Sequence, residues 1–321
     1  MTVQQTAGPL PGQSATSANN VTTRPPPPQG MWSELFSFRD NRLGVMLIVP
    51  SLLALILVQF YPIVYNFWLI LTSEKGEWIG LTNLSRLTRD TIFHGALIFS
   101  LKMGIVVVPM CLLVGLGLAL LVHSDYAGRK AIWISILIIP LMVSEIVAGM
   151  MWKIMYHPTL GLVNVPLAAL GLEPIIWLVK ADTAFIALCV VEIWRISPLA
   201  FLLLYAGLNQ VPRDIYEAAA VDGATRWRAF WDMTLPYIRP MFAIATILVF
   251  VWSTRTIGTI AATTQGGPGR ATWNLSWYIY GMSFQRLKPH YASAAVLVML
   301  LMTYIAGTIF VRYLWVERRS R

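Results

Sequence analysis

Six apolar stretches, at approximately 43–71, 96–122, 131–155, 182–208, 237–262 and 291–314, constrain this chain more than any other feature. Each can cross a hydrocarbon layer about 30 Å thick, which takes about 20 helical residues. Inside such a layer every backbone N–H and C=O must bond within its own segment, so the stretches predict transmembrane helices rather than strands or loops. Composition supports this. Of 321 residues, 57% are hydrophobic and 12% charged, where ordinary globular domains carry roughly 25% charged residues. A soluble fold could not hide that much apolar surface. Pro50, Pro62, Pro109, Pro140 and Pro198 fall within or near the stretches. Neighbouring helices can compensate a lost backbone bond there, so these prolines predict kinks rather than breaks.

The flanks read differently. Residues 1–30 are rich in Gln, Thr, Ser, Asn and Pro and end in four consecutive prolines, Pro25 to Pro28. Such a segment buries too little apolar area to offset its ordering entropy, which predicts a disordered cytoplasmic tail. A basic start followed by an apolar core is absent from it, so it is no signal peptide. Residues 31–42 mix Trp32, Leu35, Phe36 and Phe38 with Arg39 and Arg42, the pattern of a short interfacial segment. The apolar, membrane-spanning region then occupies 43–314, and residues 315–321 form a basic tail.

The formal net charge of +9 raises the question of nucleic acid, but the basic residues are scattered between apolar spans. Lys and Arg set membrane orientation instead. With the N-terminus in the cytoplasm, inner segments carry 13 basic residues, among them Arg129, Lys130, Arg213, Arg226, Arg228, Arg239 and Arg312. Outer segments carry 7: Lys75, Arg86, Arg89, Lys180, Arg270, Arg286 and Lys288. Both termini are therefore expected in the cytoplasm, together with the polar stretch between the fourth and fifth spans.

That polar stretch, residues 210–240, is QVPRDIYEAAAVDGATRWRAFWDMTLPYIRP. Pro212 suits a first helical turn, where its missing N–H costs nothing. Ile215 and Ala219 share one helix face, with Asp214 and Glu217 a turn apart. Asp222-Gly223 supplies a turn, because glycine adopts positive φ freely. Thr225 can cap a second short helix through Arg226, Trp227, Arg228 and Phe230, which Pro236 is expected to limit. The segment reads as helix, turn, helix, and is too polar to cross a bilayer. On these residues alone it either docks into a partner or lies on the membrane surface.

A resemblance chooses between the two. Glu217-Ala218-Ala219, Gly223, and Leu235-Pro236 resemble the EAA signature of ABC importer permeases, with Met233 where that signature often has Ile. The wider pattern, Ala206-Gly207-Leu208, Val211-Pro212 and Val221-Asp222-Gly223-Ala224, is similar to the carbohydrate-uptake, MalF-type branch that works with a binding protein. Tyr61-Pro62, Gly80-Leu81-Thr82-Asn83-Leu84 and Thr264-Gln265-Gly266-Gly267-Pro268 agree with it, so the resemblance spans roughly 43–314. It implies an all-α integral membrane protein of the type I ABC importer permease fold, with about six transmembrane helices and a cytoplasmic coupling helix between spans 4 and 5. It also implies a non-catalytic subunit in a bacterial or archaeal plasma (inner) membrane. Its partners would be a second, MalG-type permease, two ATPase subunits and an extracytoplasmic solute-binding protein. The substrate would be a carbohydrate, or in the same machine a polyol or glycerol phosphate. The ATPase-coupling residues implied are Glu217, Ala218, Ala219, Asp222, Gly223, Leu235 and Pro236. No cofactor is expected on this chain, with ATP and Mg on the ATPase; the sequence has no G-x-x-x-x-G-K-[ST] phosphate loop.

Polar residues within spans form the second informative set. A charge at the membrane centre costs roughly 2.5–3.5 kcal/mol on insertion scales, so each should face protein or water. Glu145 follows Ser144 in the third span, Glu192 and Arg195 stand at i and i+3 in the fourth, and Arg255 lies in the fifth near Trp252. With Trp152 and Trp194 they make a candidate substrate path, in which carboxylate and guanidinium groups bond hydroxyls and aromatic faces supply apolar contact. The structural reading is that Glu192 pairs with Arg195 and Glu145 with Arg255 or a partner subunit, with the tryptophans as packing. Gln265, Gly266, Gly267 and Pro268 form a candidate outer gate, read as a flexible re-entry. Between residues 80 and 93, Leu84, Leu87 and Ile92 would point inward and Arg86 and Arg89 outward.

Other functions find less support. His94, His123, His157 and His290 lie in separate loops or span ends without metal-ligand spacing, so no metal site is expected. Cys111 and Cys189 lie inside apolar runs. A secondary, ion-coupled transporter would fit the intramembrane charges, but six spans show no internal repeat. Which solute is carried depends on side chains whose partners lie on another chain.

Overall fold

A computed structural model describes residues 42–124 and 128–314. The expected tail at 1–30, the interfacial segment up to residue 41 and the basic tail at 315–321 lie outside them. Helices dominate the described residues, which contain no β-strand beyond a single isolated bridge between Thr72 and Trp78. The chain divides into two compact units at Pro62. The first contributes the beginning of α1 (Arg42–Leu71), which contains Pro50 and Pro62 without interruption. The second holds everything from Ile63 on.

In that second unit, a short α2 (Thr82–Leu87) precedes α3 (Thr91–His123). Leu87 is buried, Leu84 and Ile92 are half-buried, and Arg86 and Arg89 are exposed, as the alternation of that segment implies. Asp90 starts α3 as its N-cap, its carboxylate accepting from the N–H of Ile92 at 2.8 Å and of Phe93 at 3.2 Å. The third apolar stretch departs from expectation. It forms α4 (Lys130–Met142) and α5 (Glu145–Met155), which meet at 94°. Pro140 lies near the end of α4, Val143 is extended, and Ser144 caps the new helix by accepting from the Val147 N–H. A break, not a kink, therefore interrupts this span. By length and composition the described residues hold five helices able to cross a membrane, or up to six if this bent pair is one span.

After a 3₁₀ turn (Leu162–Asn164) and α6 (Val165–Ala169) comes α7 (Ala181–Asn209). The hairpin of α8 (Arg213–Val221) and α9 (Arg226–Ala229) follows. A turn of π-helix at Phe230–Thr234 then runs directly into α10 (Leu235–Arg255). Pro236 does not stop the helix as expected: it sits in the first turn of α10, where an absent N–H is tolerated. The fifth stretch breaks instead at Thr256, which is extended, before α11 (Gly258–Thr263). α12 (Leu275–Tyr280), a second π turn (Gly281–Gln285) and α13 (Pro289–Leu314) complete the order.

The core is built on α3 against α7, with α10 laid across both. Small residues permit the approach. A Cβ on Gly115 would come within 2.7 Å of the Ala200 Cβ and 2.8 Å of the Phe201 nitrogen. In a membrane, where apolar side chains gain little by leaving lipid, this close backbone packing is what holds helices together.

Candidate functional site

Intramembrane charges from two elements converge on a break in a third. Arg195, on α7, places Nη2 2.6 Å from Glu192 Oε2 on the same helix and 3.5 Å from Glu145 Oε1 at the start of α5. Glu192 is fully buried and its other oxygen accepts from the hydroxyls of Thr256, at 2.8 Å, and Thr259, at 2.5 Å. Glu145 Oε2 accepts the backbone N–H of Ile257 at 3.1 Å and of Gly258 at 2.8 Å. Two carboxylates thus share one guanidinium, and both grip the break between α10 and α11. Asn274 holds the same break from the far side, donating to the Thr256 carbonyl while its Oδ1 caps α12. Gly258 is required here: a Cβ would lie 2.6 Å from the Glu145 Cβ.

Glu145 therefore pairs with Arg195, not with Arg255. Arg255 is exposed at the end of α10, one turn after Trp252, which is 39% exposed, and it makes no ion pair among the described residues. Trp152 and Trp194 form a T-shaped pair with centroids 5.9 Å apart, in a cluster with Tyr156 and Trp177. They are packed against each other rather than displayed, whereas Trp252 and Arg255 share an open face.

The hairpin shows how its residues divide. Ala219 is buried, and Ile215 and Tyr216 pack against Phe201, Leu204, Leu208 and Ile238 of α7 and α10. The Tyr216 and Thr234 hydroxyls lie 2.9 Å apart, tying α8 to the π turn. Gly223 takes φ +72 with nothing within 4 Å of where a Cβ would stand, and the Thr225 hydroxyl accepts the Arg228 N–H at 3.3 Å. Glu217, Ala218, Asp222 and Gly223 are exposed, and Leu235 and Pro236 half-buried. Val221, Trp227 and Trp231 also remain exposed, at 88%, 71% and 48%. The apolar face turned to the body is satisfied; a second apolar face is not.

At the other end of α10, the loop after α11 is bonded to itself rather than open. The Thr272 hydroxyl donates to the Gly267 carbonyl at 2.7 Å and lies 2.8 Å from the Thr264 hydroxyl. Gly266, at φ +85, leaves no room for a side chain because the indole nitrogens of Trp273 and Trp277 lie against it. Gln265 and these two tryptophans line a cavity of about 530 Å³ that reaches Ile257 and Gly258 at the break.

On the same side, sequence reading missed a clamp. Asp90 Oδ2 accepts from the hydroxyls of Tyr278 at 2.7 Å and Tyr291 at 3.0 Å, joining α3, α12 and α13. Burial pushes its carboxyl up, but the bonds from Tyr278, Phe93, Tyr291 and Ile92 outweigh this and hold it below the usual carboxylate value. Burial raises the Tyr278 hydroxyl, and the bonds to Tyr291 and Asp90 add to the rise.

A helical bundle with five or six apolar spans, one of them bent, and a charge cluster at a helix break defines an integral membrane protein. Residues 43–320 match the family described as binding-protein-dependent transport system inner membrane component, and the chain belongs to that family, the permeases of ABC importers. It is 33% identical over 287 residues to the sulfoquinovosyl glycerol transport system permease protein SmoG of Agrobacterium fabrum, covering 88% of this chain and 93% of that one. It is 30% identical over 289 residues to the trehalose/maltose transport system permease protein MalF of Thermococcus litoralis, covering 88% and 96%. Its fold is similar to that of a bacterial ABC transporter involved in import of the acidic polysaccharide alginate, with a TM-score of 0.75 at 19% identity over 91% of this chain and all of that one. Membership removes the ion-coupled carrier as an alternative.

Proposed function

We propose that this chain forms half of the membrane path of an ATP-driven carbohydrate importer and takes its power stroke through the α8–α9 hairpin. The observation that carries this is the hairpin's two apolar faces. One is buried through Ala219, Ile215 and Tyr216, while the other leaves Val221, Trp227 and Trp231 uncovered. A helix pair fixed on one side and bare on the other fits a groove on a partner. In this reading the hairpin and both termini face the cytosol, an ATPase subunit covers Trp227 and Trp231, and a second permease completes the path. A binding protein delivers solute on the opposite side. Glu217, Asp222 and Gly223 shape the contact, and Leu235-Pro236 start the rod that leaves it.

The carbohydrate reading is supported by the sugar and glycoside systems to which the similar relatives belong, and by Trp252 and Arg255 sharing an open face on α10. Arg255 without an ion pair among the described residues also suits an anionic solute such as glycerol phosphate. The test is reconstitution with the partner subunits and binding protein. Uptake of a neutral sugar should require ATP, and a cysteine at Ala218→Cys should crosslink to the ATPase. Uptake driven by an ion gradient without ATP, or no crosslink in an active complex, overturns the proposal.

A further inference from the structure

On the side of the membrane opposite the hairpin, three aromatic rings stand in a row along α12 and the π turn that follows. Trp277 stacks on Tyr280 with centroids 5.5 Å apart and planes 29° apart, and Tyr280 meets Phe284 at 5.5 Å and 36°. Exposure rises steadily along the row, from 9% at Trp277 through 38% at Tyr280 to 71% at Phe284. The spacing of 277, 280 and 284, i, i+3 and i+7, places all three on one helix face.

The buried end of the row opens into the cavity of about 530 Å³ described above. Trp277 and Tyr280 form part of its wall, with Trp273 beside them, and the exposed amides of Gln265 and Gln285 stand at its margin. None of its lining side chains is charged. At its floor are Ile257 and Gly258, whose N–H groups are held by Glu145. Aromatic side chains beside amide groups that both donate and accept, with no charged side chain in the lining itself, match one chemistry: a neutral saccharide, whose rings present C–H faces and hydroxyl edges.

We propose that Phe284, Tyr280 and Trp277 form a track along which a neutral saccharide descends to the cavity at the α10–α11 break, with Gln265 and Gln285 bonding its hydroxyls. The inference rests on the carbohydrate reading above. A belt of aromatic residues at a membrane surface is the competing explanation. A belt asks for amphipathic rings that anchor the chain at the interface and does not itself touch the solute, whereas a track asks for rings that the solute meets in sequence.

The assembled transporter, reconstituted in liposomes with its binding protein, separates the two. The probes are radiolabelled maltose, trehalose and maltotriose. Tyr280→Leu and Phe284→Leu should each lower the maximal uptake rate about three- to tenfold, the scale of a lost aromatic contact. Tyr280→Phe and Phe284→Tyr should transport as the unaltered protein does, and ATP hydrolysis in the absence of binding protein should not change in any variant. Unaltered uptake by the leucine variants overturns the track and leaves the importer reading standing, as does a parallel loss of ATP hydrolysis, which would mark the rings as structural. Failure of the unaltered transporter to take up any of the three sugars overturns the carbohydrate reading and the track with it.

Discussion

Replacing Arg195 by Met strips the only cation from a cluster holding two carboxylates. Glu192 is the more vulnerable, being fully buried, with its bonds from Thr256 and Thr259 left as its only support. Breaking a buried pair by removing one partner typically costs about 3–5 kcal/mol, because the remaining charge is uncompensated. Glu145 suffers less: its side chain is 32% exposed and keeps the Ile257 and Gly258 N–H groups. Replacing the pair together, Glu192→Leu with Arg195→Met, removes both desolvated charges and should recover at least half of the loss, since apolar substitutes for a buried pair are often neutral. Thermal unfolding of the assembled transporter, followed by tryptophan fluorescence, reads both. A loss of 3 kcal/mol corresponds to a midpoint roughly 6–12 °C lower. The double-mutant cycle gives the coupling directly. If Arg195→Met unfolds at the same temperature as the unaltered protein, or if the double variant is worse than either single change, the cluster is not the ion-pair network its geometry describes.

Three further outcomes are expected. Gly223→Val forces a β-branched residue into φ +72, where open surroundings give it space but no relief from backbone strain of about 1–2 kcal/mol; ATP hydrolysis should persist while uptake falls, and Gly223→Asn should restore it, whereas normal uptake by Gly223→Val removes Gly223 from the coupling. Gly115→Ala should destabilise the bundle by about 1–3 kcal/mol through its clash with Ala200 and Phe201, while Gly117→Ala, with nothing within 4 Å, should not, a contrast readable in thermal midpoints. Asp90, whose carboxyl is held low, binds its proton less readily folded than unfolded. The stability it lends is therefore complete above the ordinary value of 3.8 and is lost as pH falls below it. Asp90→Asn should flatten that acid limb of the melting profile, and Asp90→Ala should cost a further ~1 kcal/mol by removing the cap.

Apolar length and turn chemistry made much of this architecture readable in advance. Long uninterrupted runs announce α1, α3, α7 and α13, and Asp222-Gly223 with Thr225 announces the hairpin, because each signal is local. The break after α4 also had a local signal, Pro140 followed by Ser144-Glu145, a helix stop and a fresh N-cap, but unbroken hydropathy outweighed it. At Thr256 no proline marks the break; the acceptors that make it tolerable come from Glu192 and Glu145, 64 and 112 residues earlier. For the same reason the partner of Glu145 could not be chosen from sequence. Arg255 and Arg195 are equally plausible along the chain, and only the packing of α5 on α7 decides. The Asp90 clamp joins residues 188 and 201 positions apart. Nothing in the neighbourhood of Asp90 names a tyrosine.

The unbroken run from Arg226 through the π turn to Arg255 has a mechanical meaning. At 1.5 Å per residue those 30 residues make a lever about 45 Å long, with the indole of Trp227 near one tip and the hydroxyl of Thr256 just past the other. On the proposed coupling, no loop lies between the hairpin and the far tip to absorb a displacement. The first interruption it would reach is the break at Thr256, which Glu145 and Glu192 hold by hydrogen bonds.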